Sequence, residues 1–298
     1  MPKNLLEYRF RDWMRLRPLA HALKSRRYRR IDRKFLAVQP EKNINSLRHL
    51  IQNRQTIVVI AYNDHQLIQW QSQLVRRFIP QAAYVVVDNS SSASQAREVQ
   101  QVCCRFNVPY ERLVNNPWSG RNASRSHALA MNWTWQHLLR PARPSQFGFI
   151  DHDLFPTAPT DPFKRLEDRL CWGDKRWAGE RWFLWAGFCF FDFSRVMGLK
   201  QDLDFGLDWF AGLDTGGANW DIVYRHIDHS AIPERKIQEV AVWPDVPLKS
   251  AYFEWRDDWI HEVGLAGRTD LKSEKRVELA RLLPLPARQA QLAAMALT

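Results

Sequence analysis

Between Thr56 and Ile150 the chain alternates short strand-like runs with segments that carry apolar residues at helical spacing. Thr56-Ile-Val-Val-Ile-Ala61 is the first run, and its lack of polar interruption marks a strand buried on both faces. Leu67, Trp70, Leu74 and Phe78 then predict a helix over Gln66–Phe78, which Pro80 stops. Tyr84–Val87 is a second buried strand, closed by Asp88-Asn89-Ser90-Ser91-Ser92. A helix over 94–106, a strand over Tyr110–Val114, a longer helix from Asn122 to Leu139 and a strand over Phe147–Ile150 complete the series. Such alternation predicts an α/β fold with a mostly parallel sheet flanked by helices. Ligands of open parallel sheets lie outside the carboxyl ends of the strands. Three of those ends here carry polar clusters: Tyr62-Asn63-Asp64, Asp88-Asn89-Ser90 and Asp151-His152-Asp153.

The later half is less regular. Trp182–Phe191 reads as a strand, Asp214-Thr-Gly-Gly217 as a turn or helix entry, 219–228 as helical, and Ile237–Trp243 as another strand. The tail from Lys272 is expected to be helical until Pro284 and Pro286. The expected division is a basic arm over 1–54, an α/β domain over 55–271 and a helical tail over 272–298.

Charge decides between partner classes. The formal net charge is +11, and residues 1–54 carry all of that excess, with 15 Lys and Arg against 4 Asp and Glu. Residues 55–298 hold 28 of each sign, so the body is not a basic phosphate-binding surface, and specific nucleic-acid binding is not expected of it. The arm reads either as a helical extension packed on the domain or as a docking surface for an anionic membrane. Cys103, Cys104, Cys171 and Cys189 lack the spacing of a zinc site and the density of a disulfide scaffold, so buried free thiols are expected. No secretory signal and no membrane-spanning run is visible, and the expected compartment is a reducing cytoplasm, with peripheral contact at the inner face of the membrane through the arm.

Two aspartates separated by one residue just beyond a buried strand suit a divalent cation, because carboxylates are hard oxygen ligands and the chain turns there. Asp151 and Asp153 are therefore candidate ligands of Mn²⁺ or Mg²⁺; the competing reading makes them solvent-facing or turn-capping acids.

Taken together, Ile60-Ala-Tyr-Asn63, Val87-Asp-Asn-Ser-Ser91, Asn115-Asn116, Ser126-His-Ala-Leu-Ala-Met-Asn132 and Phe149-Ile-Asp-His-Asp-Leu154 resemble the nucleotide-binding half of a family 2-like glycosyltransferase with the GT-A fold. The resemblance implies a nucleoside-diphosphate sugar as donor and a saccharide or lipid-linked acceptor. It places Ala61, Tyr62 and Asn63 beside the nucleoside and Asp88 on the base. Asp151 and Asp153 would hold the metal on the diphosphate, with His152 between them. The stretch Asn116-Pro117-Trp118-Ser119-Gly120-Arg121 departs from the family's glycine-rich pattern. Arg121 or Arg125 could reach the diphosphate, and His127 could face the donor or simply pack.

The same resemblance marks Trp259-Ile-His-Glu-Val-Gly-Leu-Ala-Gly-Arg268 as a late motif that brings His261 onto the metal; the competing reading is a surface histidine beside Asp257 and Asp258. Transfer by direct displacement needs a carboxylate base near the acceptor hydroxyl. Asp214, before Thr215-Gly216-Gly217, is the first candidate and Asp208 the second. Asp214 also reads as an N-cap for a helix near Ala218, and Asp192 as the cap of a helix after the apolar strand. Trp182–Phe191 and Trp209-Phe210 read as core first and acceptor-side walls second. A metal-dependent nucleotidyltransferase is the enzymatic alternative, but it needs a loop rich in Gly, Arg or Lys where this chain has Ala61-Tyr-Asn-Asp64. The non-enzymatic alternative is a nucleic-acid-binding protein that uses the arm.

Overall fold

The computed structural model describes residues 8–40, 44–208, 212–241, 252–263 and 272–286. The expected strands become β1 (Gln55–Ala61), β2 (Ala83–Asp88), β3 (Tyr110–Arg112) and β4 (Gln146–Asp151), all parallel. Two longer strands extend the sheet beyond β4. β6 (Cys171–Ala178) and β7 (Arg181–Asp192) form a hairpin, and β7 runs antiparallel to β4, giving the order β3-β2-β1-β4-β7-β6. Register aligns the strand ends: Ala61 lies opposite Asp88, and Ile60 opposite Asp151.

A second, antiparallel sheet orders β5 (Leu154–Pro156), β10 (Trp259–Glu262), β9 (Tyr252–Arg256) and β8 (Ile237–Ala241). The chain leaves the first sheet at Asp151 and enters the second at Leu154, so Asp151-His152-Asp153 is the corner between them. His261 pairs with Leu154 on one side and Glu254 on the other. Trp243 of the expected last strand lies outside the described residues.

Helices cover the main sheet. Before β1 come α1 (Phe10–Met14), α2 (Arg17–Leu36) and α3 (Ile44–Ile51). Then follow α4 (His65–Phe78), α5 (Ala93–Arg105) and α6 (Ala123–Thr134), capped in turn by Asp64, Ser92 and Asn122, whose side chains accept backbone N–H bonds at the first turn. α6 runs on through a π-helical turn (Trp135–Leu139) into α7 (Arg140–Ala142). α8 (Phe193–Met197) begins at Asp192, which accepts from Arg195 N at 3.0 Å, as its sequence position predicts. Between 217 and 231 the expected helix is instead three short 3-10 turns. Leu113 and Val114 lie past the end of β3, so the third strand is shorter than expected. Ile44, Leu47 and Ile51 of α3 join the core, so this part of the basic segment is built into the domain. Cys104 is exposed, contrary to expectation, because it faces outward from α5; the other three thiols are buried.

The core is strongly aromatic: Phe147, Phe149, Phe191 and Phe205 pack in stacked and edge contacts across β4 and β7. Buried rings of this size supply about 2 kcal/mol each.

The last described helix, α9 (Lys272–Leu282), is tied back to the first strand end. Arg276 donates to both Asp64 oxygens at 3.2 and 3.0 Å and to both Glu262 oxygens at 2.7 Å, with all three residues buried. Removing one member leaves the others as uncompensated buried charges. Arg276→Met is expected to lower the unfolding free energy in urea by about 3–5 kcal/mol; a loss under about 1 kcal/mol would match a solvent-screened pair instead.

Candidate metal and donor site

The corner between the sheets is held from below by a residue that the helical pattern passes over. Gln71, fully buried on α4, donates to the backbone carbonyls of Asp151 at 2.7 Å and Leu154 at 2.6 Å. Its own carbonyl accepts from the Tyr84 hydroxyl at 2.7 Å. The backbone on both sides of Asp151-His152-Asp153 is thus fixed before any ligand arrives. Gly187 on β7 lies beside Asp151, since the register pairs Ile150 with Phe188. A Cβ at Gly187 would come within 2.4 Å of Asp151 Oδ2, so glycine there makes the room the carboxylate occupies.

Among the described residues, ligand atoms of Asp151, Asp153 and His261 all lie within 4.8 Å of one another. His261 Nε2 is 3.5 Å from Asp153 Oδ1, and Nδ1 is 3.2 Å from Glu254 Oε2. His261 is therefore buried and turned inward, while Asp257 pairs with Arg235, which sets aside the reading as a surface histidine. The donor set suits Mn²⁺ or Mg²⁺: two carboxylates, and an imidazole whose other nitrogen is held by a carboxylate, as metal-ligating histidines usually are. The Trp185 ring lies 4.8 Å from the His261 ring and carries Arg256 and Arg176 against it at 4.9 and 5.2 Å, so this partly exposed member of the apolar strand walls the site.

Electrostatics follow from this crowding. Burial and the neighbouring Asp153 push the Asp151 carboxyl up. Burial also opposes ionisation of Asp153, but the charge and hydrogen bond of His261 outweigh it and hold that carboxyl low. Burial works against the imidazolium of His261, yet Asp153 and Glu254 overcome it and raise the group to about 9.

His127, on α6, has Nδ1 3.7 Å from Asp151 Oδ1. Burial lowers it to about 4 despite the charges of Asp214 and Asp153, so it faces the site as neutral imidazole. Asp214 is exposed, and its charge favours the imidazolium of His127 and opposes ionisation of Asp151. Its loop is anchored by Thr215, whose hydroxyl donates to Ser124 O at 3.0 Å. The N-cap of the following 3-10 turn is Gly216, not Asp214. The glycines serve the loop rather than a ligand: Gly216 has φ +87°, and a Cβ at Gly217 would meet Leu213 at 2.3 Å. Asp208 is buried instead, 3.6 Å from Arg181, and lines a groove of about 680 Å³ between α2 and α6, where Arg125, Leu129 and Asn132 face it. The structure does not bring Asp208 into the Asp151 cluster.

The nucleoside-side residues are partly committed. Asn63 (φ +53°) bridges two strand ends: its backbone N–H donates to Ser90 Oγ at 2.9 Å and its amide to Ser91 Oγ at 2.8 Å. Tyr62 is half-buried, and Ala61 is buried at the end of β1. Asp88, which the resemblance puts on the base, is fully enclosed: Ser90 N–H and the Tyr110 hydroxyl occupy its two oxygens at 2.9 and 2.7 Å. It shapes the loop from beneath, with no surface left to meet a base. Arg121 is exposed. Arg125 is engaged by α2, 4.1 Å over the Tyr28 ring and 3.5 Å from Asp32. Trp118 donates to Asp32 at 2.6 Å, so the departure at Pro117-Trp118 is a docking point for α2. Trp209, Phe210 and the glycines and arginine of the late motif (Gly264, Gly267, Arg268) lie outside the described residues.

Glu254 and Gln71 were missed by pattern reading. Glu254 had one signal, a carboxylate alternating with Arg256 in an otherwise aromatic strand. Glu254→Gln is expected to weaken Mn²⁺ binding about 10–100-fold by calorimetry while the fold persists; unchanged affinity would remove it from the site. Metal binding requires unprotonated imidazole, and His261 titrates at about 9. Affinity should therefore rise about tenfold per pH unit from neutrality up to that value, then level off, with one proton released per ion. Below neutrality the raised Asp151 carboxyl adds a second proton and steepens the fall. Titrations in buffers of different ionisation enthalpy measure the proton directly, and a flat profile between neutrality and pH 9 would exclude His261 as ligand.

No family model matches the chain, and no curated protein matches it. Solved structures do. The mannosyltransferase PcManGT from Pyrobaculum calidifontis, in complex with GDP-Man and Mn²⁺, is 16% identical over 56% of this chain and 51% of that one, with a TM-score of 0.37. The galactosyltransferase LgtC, in complex with donor and acceptor sugar analogs, is 12% identical over 47% and 58%, with a TM-score of 0.34. The bifunctional glycosyltransferase WbbM is 14% identical over 49% and 32%, with a TM-score of 0.31. The chain thus spans a third to under three fifths of the length of these proteins. These likenesses are partial, and the chemistry rests on the side chains described above.

Proposed function

We propose that this chain transfers a sugar from a nucleoside-diphosphate sugar to a saccharide or lipid-linked acceptor, in a reaction that depends on Mn²⁺ or Mg²⁺. The observation that carries the reading is the Asp151–Asp153–His261 cluster, braced by Glu254, at the carboxyl edge of a parallel sheet. A divalent cation held there would neutralise charge on the departing diphosphate. The sequence resemblance supplies the donor class; the site supplies a place for its diphosphate.

In this reading the chain's own groups divide the work. Tyr62 and the Asn63–Ser91 bridge line the nucleoside side, with Asp88 holding their loops rigid. His127, neutral, offers a hydrogen bond beside Asp151 without adding charge. Asp214 is the base: it takes the proton of the acceptor hydroxyl as that oxygen bonds to the anomeric carbon and the bond to the diphosphate breaks. Its exposure leaves access for an acceptor, whereas Asp208 is closed off by Arg181. Direct displacement, with inversion at the sugar, is the course that gives Asp214 this task.

A nucleoside-diphosphate panel titrated with and without Mn²⁺ tests the donor class. At least one diphosphate should bind ten times or more tighter with metal, and Asp153→Asn should abolish the difference; equal binding in both conditions would refute the reading. Asp214→Asn should leave that binding intact and lower turnover about 10²–10⁴-fold. Near-normal turnover would take the base role from Asp214.

A further inference from the structure

Among the described residues, six of the thirteen exposed large hydrophobic side chains lie between Phe10 and Leu23. Phe10, Trp13 and Met14 share one face of α1, at spacings of three and four, and Phe10 and Met14 are 78% and 71% exposed. Leu16 joins the two helices at 65% exposure, and Leu19 and Leu23 continue along α2.

The same face of α2 then changes character. At 3.6 residues per turn, Leu19, Leu23, Arg26, Arg27, Arg30 and Lys34 fall within one sector of about 100°. All six are exposed. The opposite side of the helix is spoken for: Tyr28 packs edge-on against Trp118 at 4.8 Å, Asp32 takes the Trp118 and Arg125 bonds, and Phe35 is buried. α2 is thus fastened to the domain by one face and presents an apolar patch continuous with a cationic stripe on the other.

We propose that this outer face of α1 and α2 docks on the surface of a bilayer that contains anionic lipid. The apolar side chains would sit at the boundary of headgroups and acyl chains, and the stripe on lipid phosphates. Charge complementarity selects this occupant. A second copy of the chain would bring the same cationic stripe against itself, and a nucleic acid, whose bases could stack on Phe10 and Trp13, has no apolar interior to take up Met14, Leu16, Leu19 and Leu23. Among the described residues no helix is long and apolar enough to cross a membrane, so the contact is one of surface. The inference goes beyond the proposed transfer reaction and does not depend on it. It does place the site near the bilayer, because α6 meets α2 through Arg125 and the candidate metal cluster through His127.

The test is cosedimentation of the full chain with vesicles of phosphatidylcholine alone or mixed with phosphatidylglycerol. Binding should be at least ten times tighter to the mixed vesicles and weaken with added salt. Two variants separate the contributions: Leu19→Ser with Leu23→Ser, and Arg26→Ser with Arg27→Ser and Arg30→Ser. Each should reduce binding about tenfold or more while the circular dichroism spectrum and Mn²⁺ affinity stay unchanged. Equal binding to both vesicle types, or retained binding in both variants, would overturn the proposal. So would salt-sensitive RNA binding without vesicle binding, or a dimer that the leucine variant dissociates.

Discussion

A buried chain of alternating charges ties the two sheets together, and the candidate site hangs from one end of it. Asp174 on β6 belongs to the main sheet, and it receives Arg256 from β9 at 2.8 Å and Arg235 at 3.3 Å. Arg256, fully buried, also donates to Glu254, and Glu254 holds His261. Each of these ions is tolerated in the interior only because its neighbour is present; deleting one partner of such a pair typically costs about 3–5 kcal/mol. Arg235 adds packing of its guanidinium over Phe188 at 3.9 Å. The result is a second sheet whose position, and with it the direction of the His261 ring, is set by electrostatics rather than by apolar contact alone.

That arrangement explains why an acidic pair can persist at the corner of the sheets. Asp151 and Asp153 are close enough to oppose each other's ionisation, and burial adds to the penalty. In the free protein the imidazolium of His261 compensates. A divalent cation would do so with greater charge, and would displace a proton to get there. The backbone needs no rearrangement for the exchange, because Gln71 fixes both flanking carbonyls and Gly187 leaves the carboxylate its space. Pre-organisation is thus divided: the main sheet and α4 hold the aspartates, the second sheet delivers the histidine.

What could be read from the sequence follows the range of the interactions. β1 and β2 were legible because short β-branched runs bounded by turn residues favour a buried strand over a helix, and the aspartate pair stood out because it follows a strand. His261 was legible only through family resemblance, since 107 residues separate it from its pairing partner Leu154. Glu254 was hidden, because its role depends on a cross-strand register that no local pattern encodes. Gln71 sits on the apolar stripe of α4, a polar residue where burial was expected, and that conflict was its signal. Asp88 shows the opposite error: position at a strand end suggested a ligand contact, whereas Tyr110, 22 residues on, closes over it. Trp118 looked like a departure from a motif and is instead the residue on which α2 docks.

The most direct test of the account is anomalous diffraction from crystals soaked in Mn²⁺ near pH 8. The account predicts a single strong peak bounded by Asp151, Asp153 and His261 Nε2, with His261 Nδ1 still on Glu254. No peak at that corner, with His261 Nε2 remaining against Asp153, would contradict it.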